Sequence, residues 1–331
     1  MEALKKYPIS LYEVFKASQV VSRHIKPSAL VKYEELSQLL GFNAYVKHEN
    51  QNITGSFKIR GGINLMSHIK ESGVKGVVTF STGNHGLSVA TSAKLFGIPA
   101  IVVVPEGANP VKVKLIKDAG AQVVEAGRNF DESSLVVADI SNTKKYYYVH
   151  PANEPHIING VGTEFLEIMT ELPDIDAVIL PLGGGSEVAS AVTTLKQIKP
   201  EIDIYAVQAE LSCAAYHSWK QGKILKSANK TFAGGFATGT AYETTFNIYK
   251  ESLTDFILLS ENEILRGIAL AAYHTKNLVE GAGGASLMAA WKLREQLAGK
   301  NVVLQFSGSN ASPAELKKAY ELSSFVNGEV I

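Results

Sequence analysis

The chain has 331 residues, enough for two domains and a large core, and 46% of them are hydrophobic. Its 32 lysines and arginines balance 32 aspartates and glutamates with no basic run interleaved with aromatics, which argues against a nucleic-acid partner. The one cysteine, Cys213, excludes an internal disulfide and a cysteine-built zinc cluster, no apolar run reaches bilayer length, and the first residues lack the continuous apolar segment of a secretory signal. A cytoplasmic protein with no membrane partner is expected.

In chain order, the first distinctive segment is Thr54-Gly55-Ser56-Phe57-Lys58-Ile59-Arg60-Gly61, where a glycine turn runs into a helical stretch with a lysine at its start. The positive end of a helix dipole favours a neutral, nucleophilic amine, although an isolated lysine there serves equally as a solvated turn residue. A strand over residues 76–80 is followed by Ser81-Thr82-Gly83-Asn84-His85-Gly86 and a helix over 83–96. Hydroxyls, an amide and small residues at a helix N-terminus suit a carboxylate, and equally suit a plain capping turn.

The rhythm continues with strands over residues 100–105, 121–126 and 146–150 and a helix over 129–142, then with strands over 177–182, 203–210, 255–260 and 301–307. A long loop is predicted near 227–242 and a last helix over 312–325. Strands separated by helices need crossover connections, so the pattern predicts α/β architecture with mostly parallel sheets, while leaving a barrel possible. After the strand at 177–182 stands Gly183-Gly184-Gly185-Ser186. Its glycines let consecutive N–H groups close on an anion, but it has neither the lysine of a P-loop nor dinucleotide spacing. A lysine nucleophile, a carboxylate cradle and an anion cradle are together what an enzyme of pyridoxal phosphate and an amino acid requires.

The segment KHENQNITGSFKIRGG, residues 47–62, closely resembles the cofactor-attachment segment of the serine/threonine dehydratases, fold-type II pyridoxal-phosphate enzymes that include threonine dehydratase and serine racemase. STGNHG, the triglycine loop, Glu280 in LVEGAGG and Ser307 in FSGSN stand in the family's order and spacing, so the resemblance spans nearly the whole chain. It implies a tryptophan-synthase-β-like fold of two open, twisted, mostly parallel sheets flanked by helices. A large cofactor-binding domain of residues 1–64 and 150–331, a small domain of 65–149 and an active site in the cleft between them are implied with it.

Carried over by resemblance, Lys58 is the Schiff-base lysine and later the base for the α proton, and Phe57 packs on the cofactor ring. Asn84 bonds the cofactor's 3-hydroxyl, the backbone of Gly183, Gly184, Gly185 and Ser186 holds its phosphate, and Ser307 faces its pyridine nitrogen. Ser81, Thr82 and His85 bind the substrate carboxylate, with an orienting histidine as the alternative for His85 and the role of Glu280 open. A hydroxyl at Ser307 does not force a proton onto the pyridine nitrogen, which suits elimination more than transamination.

The implied activity is an ammonia-lyase (dehydratase) acting on a β-hydroxy amino acid, L-threonine or L-serine first, in a homodimer or higher homo-oligomer. A racemase, a β-replacement enzyme and a silent binder are the alternatives. Several positions depart from the family. Ser186 replaces a fourth glycine, Thr82 stands where racemases have serine, and the family's metal-ligand positions are matched by Gln208 and Ala214 with Glu210 displaced, so no metal is expected. After SGSN only one helical stretch is predicted, which implies no regulatory domain and no feedback inhibition by a branched-chain amino acid.

Overall fold

The structure, a computed structural model, describes residues 2–127 and 130–322. Its strands are β1 (Leu30–Lys32), β2 (Asn43–Lys47), β3 (Val77–Phe80), β4 (Ala100–Val104), β5 (Gln122–Glu125), β6 (Tyr147–Tyr148), β7 (Ala177–Pro181), β8 (Asp203–Ala209), β9 (Asp255–Leu259) and β10 (Asn301–Gln305). The chain divides into two compact units, one of Met1–Lys26 with Lys58–Thr163 and one of Pro27–Phe57 with Glu164–Ile331.

The first unit is built on four parallel strands in the order β5-β4-β3-β6. β4 reads AIVVV and is buried at all five positions, the pattern of a parallel strand covered on both faces. The stretch 65–149, expected as a small domain, lies inside this unit, which also takes in the N-terminal helices and the helix Lys58–Ser72. Packing explains that inclusion, because Ile59 and Ile63 of the latter helix bury against Val21 and Ile25.

The second unit holds six strands in the order β1-β2-β10-β7-β8-β9, all parallel except the edge strand β1. Alternate residues feed two cores: Ile179, Tyr205, Val207 and Leu304 on one face, Val178, Leu180, Ile204 and Val303 on the other. Burial on both faces turns these strands into unbroken apolar runs. The strands read from the sequence are present, and β1 and β2 are additions to them. The predicted strand 146–150 keeps only two ladder residues, β6, because the chain turns at His150, whose Nδ1 accepts from the amides of Ala152 and Asn153. Of the predicted last helix, Pro313–Leu322 is observed and residues 323–325 lie outside the described residues, as does Asn129 at the predicted start of Phe130–Lys144.

Candidate active site

In the first unit, Lys58 is the first residue of the helix Lys58–Ser72 and is half-buried. The Ser88 hydroxyl donates to the Lys58 carbonyl at 2.7 Å, tying the start of that helix to the helix Asn84–Phe96, which begins directly after β3 and the turn Ser81–Gly83. Ser81, Thr82 and Asn84 are half-buried on this turn, and the Ser81 hydroxyl accepts from the Gly83 amide at 3.2 Å.

His85 is buried. Its Nε2 lies 3.0 Å from Thr79 Oγ1 and 3.3 Å from the Val149 carbonyl, and Thr79 Oγ1 donates to that carbonyl at 2.8 Å. Burial, with the positive charge of Lys58 adding to it, pushes the imidazole down to about 3. A neutral His85 brings no charge to a substrate carboxylate, so complementarity on this turn falls to backbone N–H groups and the hydroxyls of Ser81 and Thr82.

In the second unit, the C-terminal ends of β2, β10 and β7 lie side by side, since Gln305 pairs with Lys47 and Leu304 with Ile179. Ligands of open α/β sheets collect beyond such ends. Beyond β10, buried Ser307 accepts at its carbonyl from the Phe57 amide at 3.1 Å, and Ser56 bridges Gly308. The Ser309 amide donates to the Gly55 carbonyl at 2.8 Å and Asn310 Nδ2 to the Thr54 carbonyl at 2.9 Å. The turn 54–57 is therefore clamped by residues 307–310, and Phe57 and Ser307 are brought together.

Beyond β7, Gly183-Gly184-Gly185 leads into the helix Ser186–Ile198. A Cβ at Gly183 would collide with the Gly235 carbonyl oxygen, and Gly185 has φ +84°, in the left-handed region that favours glycine. Thr238 Oγ1 donates to the Gly183 carbonyl at 3.4 Å and Thr245 Oγ1 to the Gly184 carbonyl at 2.9 Å. In a planar trans peptide the N–H points opposite the C=O, so the amides of Gly184 and Gly185 are turned away from those threonines. Glu280 is the N-cap of the helix Gly281–Leu293, and its amide donates to the Gly308 carbonyl at 3.0 Å, beside Ser307.

Lys58, Ser81, Thr82, Asn84 and His85 thus fall in the first unit, and Phe57, Gly183–Ser186 and Ser307 in the second. Thr79, Thr238, Thr245 and Gly235 were not singled out from the sequence, because three are ordinary threonines and their partners are remote in the chain. Glu210 is exposed, and the amide oxygen of Gln208 accepts from the Tyr216 amide at 3.2 Å. Among the described residues no group of three or more His, Cys, Asp or Glu side chains could hold a metal ion.

The family model described as "Pyridoxal-phosphate dependent enzyme" matches residues 21–308. The chain belongs to the pyridoxal-phosphate-dependent enzymes. It is 37% identical over 298 residues to the L-threonine ammonia-lyase of Geobacter sulfurreducens, covering 89% of this chain and 74% of that protein. Among solved structures of the same fold, it is similar to maize serine racemase (TM-score 0.89, 26% identity, 95% and 98% of the two chains). A second is the processed form of threonine deaminase isoform 2 from Solanum lycopersicum (TM-score 0.87, 30% identity, 96% and 95%). Pyridoxal phosphate is the cofactor. The triglycine loop fits its phosphate, since the Gly235 carbonyl excludes a side chain at Gly183 and the Gly184 and Gly185 amides face away from Thr238 and Thr245 at the start of a 13-residue helix.

Proposed function

We propose that this pyridoxal-phosphate-dependent enzyme is an ammonia-lyase that converts a β-hydroxy amino acid, L-threonine or L-serine, to a 2-oxo acid and ammonia. The observation that carries the reading is that the group buried beyond β10 against Phe57 is the neutral hydroxyl of Ser307 and not a carboxylate. The similarity to L-threonine ammonia-lyase along 89% of the chain supports the choice of substrate.

Bound at this site, the cofactor supplies a conjugated electron sink that makes the α proton of the amino acid removable. Lys58 would anchor it through its amine, Phe57 would pack on its ring, Asn84 would bond its 3-hydroxyl and the amides of Gly183 to Ser186 would hold its phosphate. Ser307 would offer the pyridine nitrogen a neutral hydroxyl that does not force a proton onto it, which favours loss of a β-substituent over transamination. Ser81, Thr82 and the backbone of their turn hold the substrate carboxylate. The Lys58 amine would take the α proton as general base, that proton and the β-hydroxyl together make up the water lost, and the enamine product hydrolyses to the 2-oxo acid and ammonia.

A screen of β-hydroxy amino acids for 2-oxo acid release tests this, with equimolar 2-oxobutanoate and ammonia from L-threonine as the expected result. No 2-oxo acid from any of them overturns it. We further place the enzyme in the cytoplasm as a homodimer. The single cysteine supports the first, and the second follows the resemblance given by the sequence motifs.

Serine racemase is the second reading, favoured by the likeness to the maize enzyme. Racemisation needs a second acid/base able to reprotonate the α carbon on the face opposite Lys58, and by the resemblance Thr82 stands where racemases have the serine that does so. Its β-branched side chain is stiff at χ1 where a serine hydroxyl turns freely. Thr82→Ala should abolish racemisation and lower deamination by only about two- to tenfold, the loss of one hydrogen bond. Chiral chromatography of L-serine incubations beside a pyruvate assay decides between the two. Interconversion faster than pyruvate release makes racemisation the main reaction.

A further inference from the structure

β6 ends after Tyr148, yet the chain must still satisfy the carbonyl of Val149, which lies beside the end of β3. Two side chains of the first unit do so: Thr79, fully buried on β3, and His85, on the first turn of the helix that follows it. The carbonyl can only accept. With the Thr79 hydroxyl hydrogen directed to it at 2.8 Å, the Thr79 oxygen offers lone pairs to His85 Nε2 at 3.0 Å. The proton must therefore sit on Nε2, donating to Thr79 and to the carbonyl at 3.3 Å. The opposite tautomer would set a bare Nε2 lone pair against the carbonyl oxygen. Nδ1 of a buried ring is thereby left as an acceptor.

We propose that Thr79 is a positioning residue of the substrate turn: with the Val149 carbonyl it locks His85 as the neutral Nε2–H tautomer and so sets the backbone of residues 81–86. Thr79 touches neither substrate nor cofactor and acts through His85. The lock has two uses. It anchors the first turn of the helix from below, so that the amides and hydroxyls of the turn keep one geometry, and preorganised donors bind an anion better than mobile ones. It also keeps a second positive charge away from Lys58, whose charge already opposes protonation of His85. The proposal rests on the reading of residues 81–85 as the carboxylate site.

The test uses the holoenzyme with 15N-labelled histidine, whose ring-nitrogen shifts separate the two neutral tautomers and the cation; the His85 signals are assigned by their loss in His85→Gln. Wild type should show the Nε2–H tautomer throughout the range in which the enzyme is folded. Thr79→Val keeps the shape and removes the hydroxyl, leaving His85 Nε2 only the longer contact of 3.3 Å to the Val149 carbonyl, so the His85 ring-nitrogen signals should move. KM for L-threonine should rise about fivefold or more, the effect of a misplaced hydrogen-bonding turn, while kcat changes less. Thr79→Ser should restore both the wild-type signals and KM, and thermal unfolding of each variant reports whether folding was disturbed. Unchanged His85 signals in Thr79→Val overturn the proposal, as does failure of Thr79→Ser to restore them in a folded protein. If the signals move and KM does not, Ser81→Ala separates the causes. A rise in KM there means that positioning by Thr79 is wrong; no rise means that the carboxylate reading of the turn is wrong and the positioning role falls with it.

Discussion

The two ligand-facing turns, residues 81–86 in the first unit and 183–186 in the second, both join a parallel strand to a helix, but they are built on opposite principles. The triglycine turn has backbone packed against backbone: the Gly235 carbonyl fills the place of a Gly183 side chain, and Thr238 and Thr245 fix which way the amides point. Its three glycines present only backbone. In the other turn, side chains carry the chemistry, and Gly83 has nothing within 4 Å of where a Cβ would stand. A rigid cradle suits the phosphate proposed for the triglycine turn. The turn proposed for substrate is open at Gly83 and held from below, through His85 and the bond from the Ser81 amide to the Val103 carbonyl.

Lys58 lies next to the open turn, and its replacement should have the largest effect. Lys58→Ala removes both anchor and base, and turnover should fall by roughly two to four orders of magnitude or more while the protein remains folded. Near-normal ammonia release by a folded Lys58→Ala protein rules out the assignment. Next, Gly183→Ala drives a methyl group into the Gly235 carbonyl. We expect a loss of roughly 1–3 kcal/mol in stability and about tenfold or more in cofactor affinity, read by denaturant unfolding and by titration with pyridoxal phosphate.

The units also differ in buried titratable groups. In the first, burial pushes His85 to about 3; it pushes His150 to about 4 with help from Lys5, and His156 to about 3 with help from His68 and Lys16. Burial raises Glu154 to about 7 despite the Tyr147 hydroxyl that donates to it. The signs oppose each other. As pH falls from about 6.5 toward 4.5, the unfolded chain takes up three protons that the folded histidines refuse, while folded Glu154 takes up one that the unfolded glutamate does not. On these four groups the unfolded state holds two more protons, which lowers stability by roughly 2–3 kcal/mol per pH unit over that window, and burial of His68 in the same unit and of His48 and His274 in the second acts in the same direction. The two tryptophans, Trp219 and Trp291, both lie in the second unit. Acid should therefore release amide protection in the first unit, by hydrogen exchange, before tryptophan fluorescence changes; the reverse order breaks the contrast. The smallest effect is expected at Gly83→Ala, where an open site and an extended φ of −118° should hold stability within about 0.5 kcal/mol of wild type by thermal melt. A large loss there would mean that the substrate turn is as tightly packed as the triglycine turn.

The alternation of strands and helices, the lysine at a helix start and the glycine-rich turns were all legible in the amino-acid order, because each is a local pattern with its own backbone requirement. Unbroken apolar runs such as AIVVV and AVILP already announce strands buried on both faces. β1 and β2 were not legible, since LVK and NAYVK are short and ordinary until β10 pairs alongside β2. Nor was the extent of the first unit, which depends on Ile59 and Ile63 burying against Val21 and Ile25. The protonation state of His85 and the direction of the Gly184 and Gly185 amides were decided by Thr79, Val149, Thr238 and Thr245. Tertiary structure alone settles such matters, because a hydrogen bond between residues 64 positions apart leaves no trace in the spacing of either.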